Sequence, residues 1–136
     1  MQTTAREPSA EEAGGCPPDI ATMRSSVRRF LAEDALPPSA HELGTLMLRL
    51  RGHMRLLIPE VEQAIAGLPK DDVPRYCALA CIGEARRKLD ITPQAGVSSG
   101  VAHARRLARS LNALCDHFEN FSGDRPRCTS AATATS

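Results

Sequence analysis

The chain has 136 residues, enough for one domain with a single hydrophobic core. Hydrophobic residues make up 42% and charged residues 24%, and the net charge of +1 provides no overall field to attract nucleic acid or a membrane surface. Aromatic residues are only 3% and Trp is absent, which argues against base-stacking platforms and against a sheet-rich fold.

Signals for location and redox state are few. No apolar run approaches the roughly 20 residues of a membrane span, and the first residues, "MQTTAREPSAEEAGG", contain no apolar signal-peptide core. We therefore expect a cytoplasmic protein with reduced thiols. The five cysteines are odd in number and irregularly spaced, which fits free thiols better than a disulfide framework.

The two ends of the chain differ in composition from the middle. Residues 1–18 and 123–136 are rich in small and polar residues and are predicted to be disordered tails, because they cannot bury enough apolar surface to offset ordering. Residues 19–122 are predicted to form the helical bundle domain.

Four helices are predicted within that domain from apolar residues at i, i+3 and i+4. They cover residues 19–34, 39–66, 71–89 and 99–121. Ser39, Asp71 or Asp72, and Ser98 or Ser99 are the candidate N-caps. Pro59 lies inside the apolar stripe of the second helix, which keeps its phase, so we expect one helix with a kink. The short connections predict an all-α fold, a four-helix antiparallel bundle.

The third predicted helix, "PRYCALACIGEARRKL", carries apolar or small residues almost all the way round its axis. A helix of that kind is usually buried on every side. Cys77 and Cys81, and Cys115 on the fourth helix, are therefore expected to be buried, reduced and free of metal. Two thiols four residues apart, with no paired Cys or His motif nearby, are a weak metal signal.

Glu84 is the exception in that helix, because it lies in the same arc as Val73 and Cys77 and is expected to be at least half buried. A buried carboxylate needs a cation or hydrogen-bond donors. We expect a cationic partner on another helix, with Arg105, Arg109 and His53 as candidates. The alternative is a pocket carboxylate that binds a cationic ligand or moves a proton.

Other polar residues border the predicted core and could meet Glu84 between the helices. The candidate ligand-binding residues are Glu84, His53, His103 and Tyr76; the alternative is that the histidines are boundary residues with satisfied hydrogen bonds. Glu-x-x-His, His-Glu-x-x-His and glycine-rich phosphate loops are all absent from the sequence. No catalytic residue, metal ligand or cofactor is therefore predicted.

Arg105, Arg106 and Arg109 crowd the first half of the fourth helix, where they repel one another and oppose the helix dipole. This arrangement indicates a partner: acidic neighbours within the bundle, or else another protein or a small anionic ligand. Nucleic acid is not expected, since no recognition-helix arrangement is present and the net charge is near zero.

Two stretches carry a family resemblance: "LRGHMRLLIPEVEQAIAGLPKDDVPRYCALACIGEARRKL" and "GVAHARRLARSLNALCDHFE". Over about residues 20–122 the chain resembles an actinobacterial family of small, mostly Streptomyces proteins labelled natural product biosynthesis proteins. The resemblance implies a cytosolic bacterial protein with a link to specialised metabolism, and it supplies no catalytic residue.

Two functional classes remain open. The first is a non-enzymatic accessory or regulatory protein that acts through helix-mediated protein contacts. The second is a small-molecule-binding protein or enzyme with a polar pocket between the helices. A connected cavity lined by the four candidate residues would favour the second class, and a core with every polar group paired would favour the first.

Overall fold

The structure is a computed structural model and describes residues 17–122. Four helices occupy this part of the chain: α1 (Ile20–Leu31), α2 (Ala40–Ile65), α3 (Val73–Leu89) and α4 (Val97–Ser122), with no strand among the described residues. The predicted all-α bundle is confirmed. The predicted disorder of the tails concerns residues that lie almost entirely outside the described range, and the domain limits stay predictions.

Side chains cap the first three helices. Asp19 accepts hydrogen bonds from the Thr22 amide (3.1 Å) and hydroxyl (2.7 Å). Ser39 and Asp72 each accept from the backbone amide three residues on, as expected for N-caps. The N-cap of the fourth helix was predicted wrongly at Ser98 or Ser99. Gly96 has a φ of +110°, and its carbonyl accepts the first helical bond, so α4 begins at Val97.

Helix α2 continues without interruption through Pro59, which confirms the prediction of a single helix, while the kink expected there stays a prediction. Pro59 itself is exposed, while Leu57, Ile58 and Val61 around it are buried. Burial of the apolar stripe on both sides of the proline therefore outweighs the backbone hydrogen bond that its ring removes.

The helices are arranged around a central pair. Helices α2 and α4 contact each other most extensively, and each also contacts α1 and α3, while α1 and α3 do not contact each other. Helices α2 and α4 run parallel, since Leu43 lies beside Gly100 near their starts. Helices α1 and α4 run antiparallel, since Arg24 near the start of α1 reaches Glu119 near the end of α4.

Large and small side chains alternate in the interface between α2 and α4. The fully buried large residues are Leu50, Met54 and Leu57 on α2 and Leu107, Leu111 and Leu114 on α4. Ala104 and Ala108 are completely buried beside them. At Gly100 a Cβ would lie 2.7 Å from Leu43 Cδ2, so a larger residue there would have to displace the Leu43 side chain.

Helix α3 buries one face only, so the expectation that it is surrounded by other helices is wrong. Its buried residues are Ala78, Ile82 and Ala85. Val73 and Tyr76 are 68% and 71% exposed, and Leu79 is 40% exposed. The physical reason is the position of α3 outside the central pair, where only α2 and α4 cover it.

Two glycine substitutions are expected to change stability in opposite directions. Gly96→Ala should lower the free energy of unfolding by about 1 kcal/mol, because an L-residue is strained at positive φ. Gly52→Ala should raise it by about 0.5–1 kcal/mol, because Gly52 is inside α2 and a methyl group there meets nothing within 4 Å. Urea unfolding of both variants beside the parent measures this. A stabilised Gly96→Ala would contradict the left-handed start of α4.

Candidate functional site

The four residues predicted to line one pocket lie in separate surroundings. His103 is buried on α4, His53 is half-buried on α2, and Glu84 and Tyr76 are exposed on α3. The two histidines line two different clefts. The structure therefore does not bring the four side chains together, and a binding role for each stays a prediction.

Glu84 is solvated, and the expected partner on another helix is wrong. Its Oε1 accepts a hydrogen bond from Arg87 Nη2 at 2.6 Å, and its Oε2 lies 3.7 Å from Lys88 Nζ, both within α3. The hydrogen bond from Arg87, with Lys88 close by, lowers the pKa of this carboxyl. Because α3 has an outward face, Glu84 needs no cation from elsewhere in the bundle.

His53 fits the interpretation of a boundary residue. Its Nε2 lies 3.2 Å from Ser26 Oγ, a hydrogen bond that joins α2 to α1. Burial lowers the pKa of this histidine, and Arg49 adds to the shift. A cleft of about 280 Å³ lies beside the ring and is lined by Pro17, Pro18, Asp19, Met23, Leu56 and Glu60.

His103 is the buried polar centre of the structure, with 2% of its surface exposed. Its Nε2 lies 3.2 Å from Arg51 Nη2. Since a guanidinium can only donate, Nε2 accepts and the proton of the neutral ring is assigned to Nδ1. Arg51 also donates to the carbonyls of Leu89 (2.7 Å) and Ile91 (3.2 Å). It thereby holds the end of α3 and the following loop against α2.

A second cleft, of about 260 Å³, opens beside His103 between that loop and the first turns of α4. We call it the His103 cleft; its lining residues are Ile91, Thr92, Pro93, Gln94, Ser99, Ala102, His103 and Arg106. Burial lowers the pKa of His103 most, followed by the charges of Arg51, Arg106 and Lys88. The cleft is therefore rich in hydrogen-bond donors and positive in charge.

The arginines of α4 point outward as a basic surface. Arg105, Arg106 and Arg109 are all exposed. Within residues 17–122 none of them forms an ion pair, whereas Arg24 contacts both Asp116 and Glu119. Acidic neighbours within the described bundle therefore do not explain these three arginines.

The predicted burial is confirmed for one of the three cysteines. Cys115 is buried, and burial raises the pKa of its thiol to about 11. Cys81 is half-buried, with its pKa also raised by burial, and Cys77 is exposed, contrary to prediction. The outward face of α3 accounts for both differences. No group of three or more possible ligands that could hold a metal ion occurs in the described part of the chain.

Sequence reasoning missed Arg51 and the outward face of α3. Arg51 is one of many arginines, and only the tertiary position of the α3–α4 loop distinguishes it. The apolar residues of α3 form a visible pattern in the sequence, but such a pattern predicts core, because a helix that is apolar all round is usually buried.

The fold and its polar contacts define a small, all-α four-helix bundle with a donor-rich cleft at one end. The sequence pattern of DUF6415, described as a family of unknown function, matches residues 21–123, and the chain belongs to that family. No curated protein and no solved structure matches it. Among the residues described, no helix is both long and apolar enough to cross a membrane.

Thiol reactivity is expected to follow exposure. With Cys16 and Cys128 changed to Ser, Cys77 should react first with a thiol reagent, Cys81 more slowly, and Cys115 only on unfolding, because it is buried and its pKa is raised. Mass spectrometry of timed native labelling measures the order. Fast labelling of Cys115 under native conditions would contradict its place in the core.

Stability is expected to fall as the pH drops through about 6.5. The fold lowers the pKa of His53 and of His103, so the unfolded chain takes up protons first and gains stability relative to the folded state. Carboxylates titrate mostly below this window. The test is urea unfolding at pH 7.5, 6.5 and 5.5. Changing both histidines to Gln should flatten the pH dependence, and the control His41→Gln, on the surface of α2, should not.

Proposed function

We propose that this protein is a non-enzymatic accessory or regulatory protein of the cytoplasm that acts by docking a partner protein on α3. The observation that carries the proposal is an apolar outward surface on that helix. We call it the α3 surface; its residues are Val73, Tyr76, Cys77, Leu79 and Ala80, all exposed.

The spacing of these residues suits helix docking. Positions 73, 76, 77 and 80 recur at i, i+3, i+4 and i+7, so they form one stripe along the first two turns of α3. The small side chains of Cys77 and Ala80 leave room for close approach between the larger Val73 and Tyr76. Tyrosine is also among the residues that contribute most at protein interfaces.

Charges at the far end of α3 indicate what kind of helix would fit. The last turn of α3, about 20 Å along the axis from Val73, is basic, with Arg86, Arg87 and Lys88, and Arg109 of the neighbouring α4 is exposed. Electrostatic complementarity then favours a partner helix that covers the length of α3 and has acidic residues towards that end. We commit to an acidic amphipathic helix of another protein as the occupant, with its apolar face packed against the α3 surface.

The sequence resemblance supports a narrower setting, natural product biosynthesis in an actinobacterium, in which the partner would belong to a biosynthetic system. The alternative function, a small-molecule-binding protein or enzyme with a polar pocket, is weaker than the sequence suggested. Of its four candidate residues, His53 and His103 line separate clefts and Glu84 and Tyr76 are exposed.

Acidic substitutions on the α3 surface should abolish partner binding without unfolding the bundle. We expect the full chain carrying Val73→Glu and Tyr76→Glu to lose at least about tenfold in affinity for the partner. The substitutions remove apolar burial and would place carboxylates without a cationic partner in the interface. The matched control is Leu48→Glu, at an apolar position of α2 that is 72% exposed. Calorimetric titration with a purified partner, first identified by co-purification from the native host, measures the effect.

Two results would overturn this proposal. One is unchanged affinity of the Val73→Glu, Tyr76→Glu variant for the purified partner, with the control behaving the same. The other is a concentration-dependent dimer in sedimentation that the variant abolishes, which would make a second copy of the chain the occupant. Circular dichroism and urea unfolding of both variants establish that they are folded.

A further inference from the structure

We propose that the His103 cleft binds a small organic oxyanion, the carboxylate or phosphate group of a compact metabolite, held by Arg106, Ser99 and His103. This site is separate from the α3 surface, and neither proposal depends on the other.

The first turn of α4 supplies unused backbone donors to this end of the bundle. The first helical hydrogen bond runs from the Gly100 amide to the Gly96 carbonyl, so the amides of Val97, Ser98 and Ser99 have no acceptor within the helix. No side-chain acceptor for them occurs among the residues described, and the first turn contains no acidic residue. The positive end of the helix dipole is thus left uncompensated.

His103 is the second, independent observation. It is almost completely buried, yet it lines the cleft. Its Nε2 accepts from Arg51, and Nδ1 forms no hydrogen bond with any part of the chain that the structure describes. Nδ1 is not among the fully buried side-chain atoms that lack a hydrogen-bond partner in this range, so it keeps access to solvent. An anionic oxygen bound in the cleft would take the place of water and accept from Nδ1.

The charges around His103 all have the same sign. Arg51 contacts the ring, and Arg106 and Lys88 are the other charged side chains that act on it. Lys88 donates to Ser110 and lies 3.7 Å from Glu84, while Arg106 has no ion pair within residues 17–122. A planar guanidinium at the mouth of a cleft can hold two oxygens of a carboxylate or phosphate at once.

The rest of the cleft indicates the size and character of the ligand. Ile91, Pro93 and Ala102 give it an apolar side, and Thr92 and Gln94 add polar groups. Its volume of about 260 Å³ lies just below the range of ordinary ligand pockets, which starts near 300 Å³. These dimensions fit an oxyanion that carries a short carbon skeleton.

The experiment titrates the full chain with inorganic phosphate and, separately, with propionate, against sodium chloride at equal ionic strength. Amide ¹H–¹⁵N spectra follow the resonances of Ser99, Gly100 and His103. We expect saturable shifts centred on these residues with at least one probe, and the stronger probe identifies a phosphate or a carboxylate as the group bound.

Two arginine variants distinguish binding at the His103 cleft from non-specific attraction of anions to positive charge. Arg106→Gln should lower the affinity for the stronger-binding probe at least about tenfold, as expected for loss of a charge-assisted hydrogen bond. Arg105→Gln, on the same helix but outside the cleft, removes the same charge and should leave the affinity within about twofold. Equal weakening by both variants, or shifts no larger than those caused by chloride, would overturn the proposal.

Discussion

The parallel contact between α2 and α4 is the constraint on which the rest of the structure depends. Its large side chains are completely buried, and the small residues Gly100, Ala104 and Ala108 are buried beside them. In an up-down-up-down four-helix bundle the second and fourth helices lie diagonally opposite each other. Here they contact each other directly, so the bundle is flattened and α1 and α3 lie on the outside. An outer helix can bury only the face that meets the central pair, whatever its composition.

This position gives α3 little hydrophobic preference for one rotation about its axis. Apolar or small residues surround its first half, and the side chains that it buries, Ala78, Ile82 and Ala85, are mostly small. Polar contacts at the end of α3 fix its rotation. Arg51 donates to the Leu89 carbonyl, Lys88 donates to Ser110, and Arg86 pairs with Glu62. The first two of these contacts are half-buried and the third is at the surface, and polar contacts of this kind specify an arrangement more than they stabilise it.

The elements and most of their ends could be predicted because periodicity and capping are local properties. The stripe of α2 through Pro59 and the caps at Ser39 and Asp72 are examples. Burial of α3 could not be predicted, because it depends on which helices become diagonal partners, and the pattern of a single helix does not contain that information. Glu84 and Cys77 were misplaced for the same reason. His103 was selected as a border residue, but its cleft depends on the α3–α4 loop and on Arg51, which are remote in sequence.

Packing accounts for the core of the bundle but does not account for the α3 surface. The outward faces of α1 and α4 are polar, with residues such as Arg28, Arg105 and Arg109, which is the usual composition of a solvated helix face. On α3, Val73 and Tyr76 hold the equivalent outward positions and gain nothing from the fold, since their side chains remain largely in water. A polar residue at either position would leave every buried contact in place. The apolar character of this face is therefore not a requirement of folding, and this is the physical ground for the proposed interface with another helix.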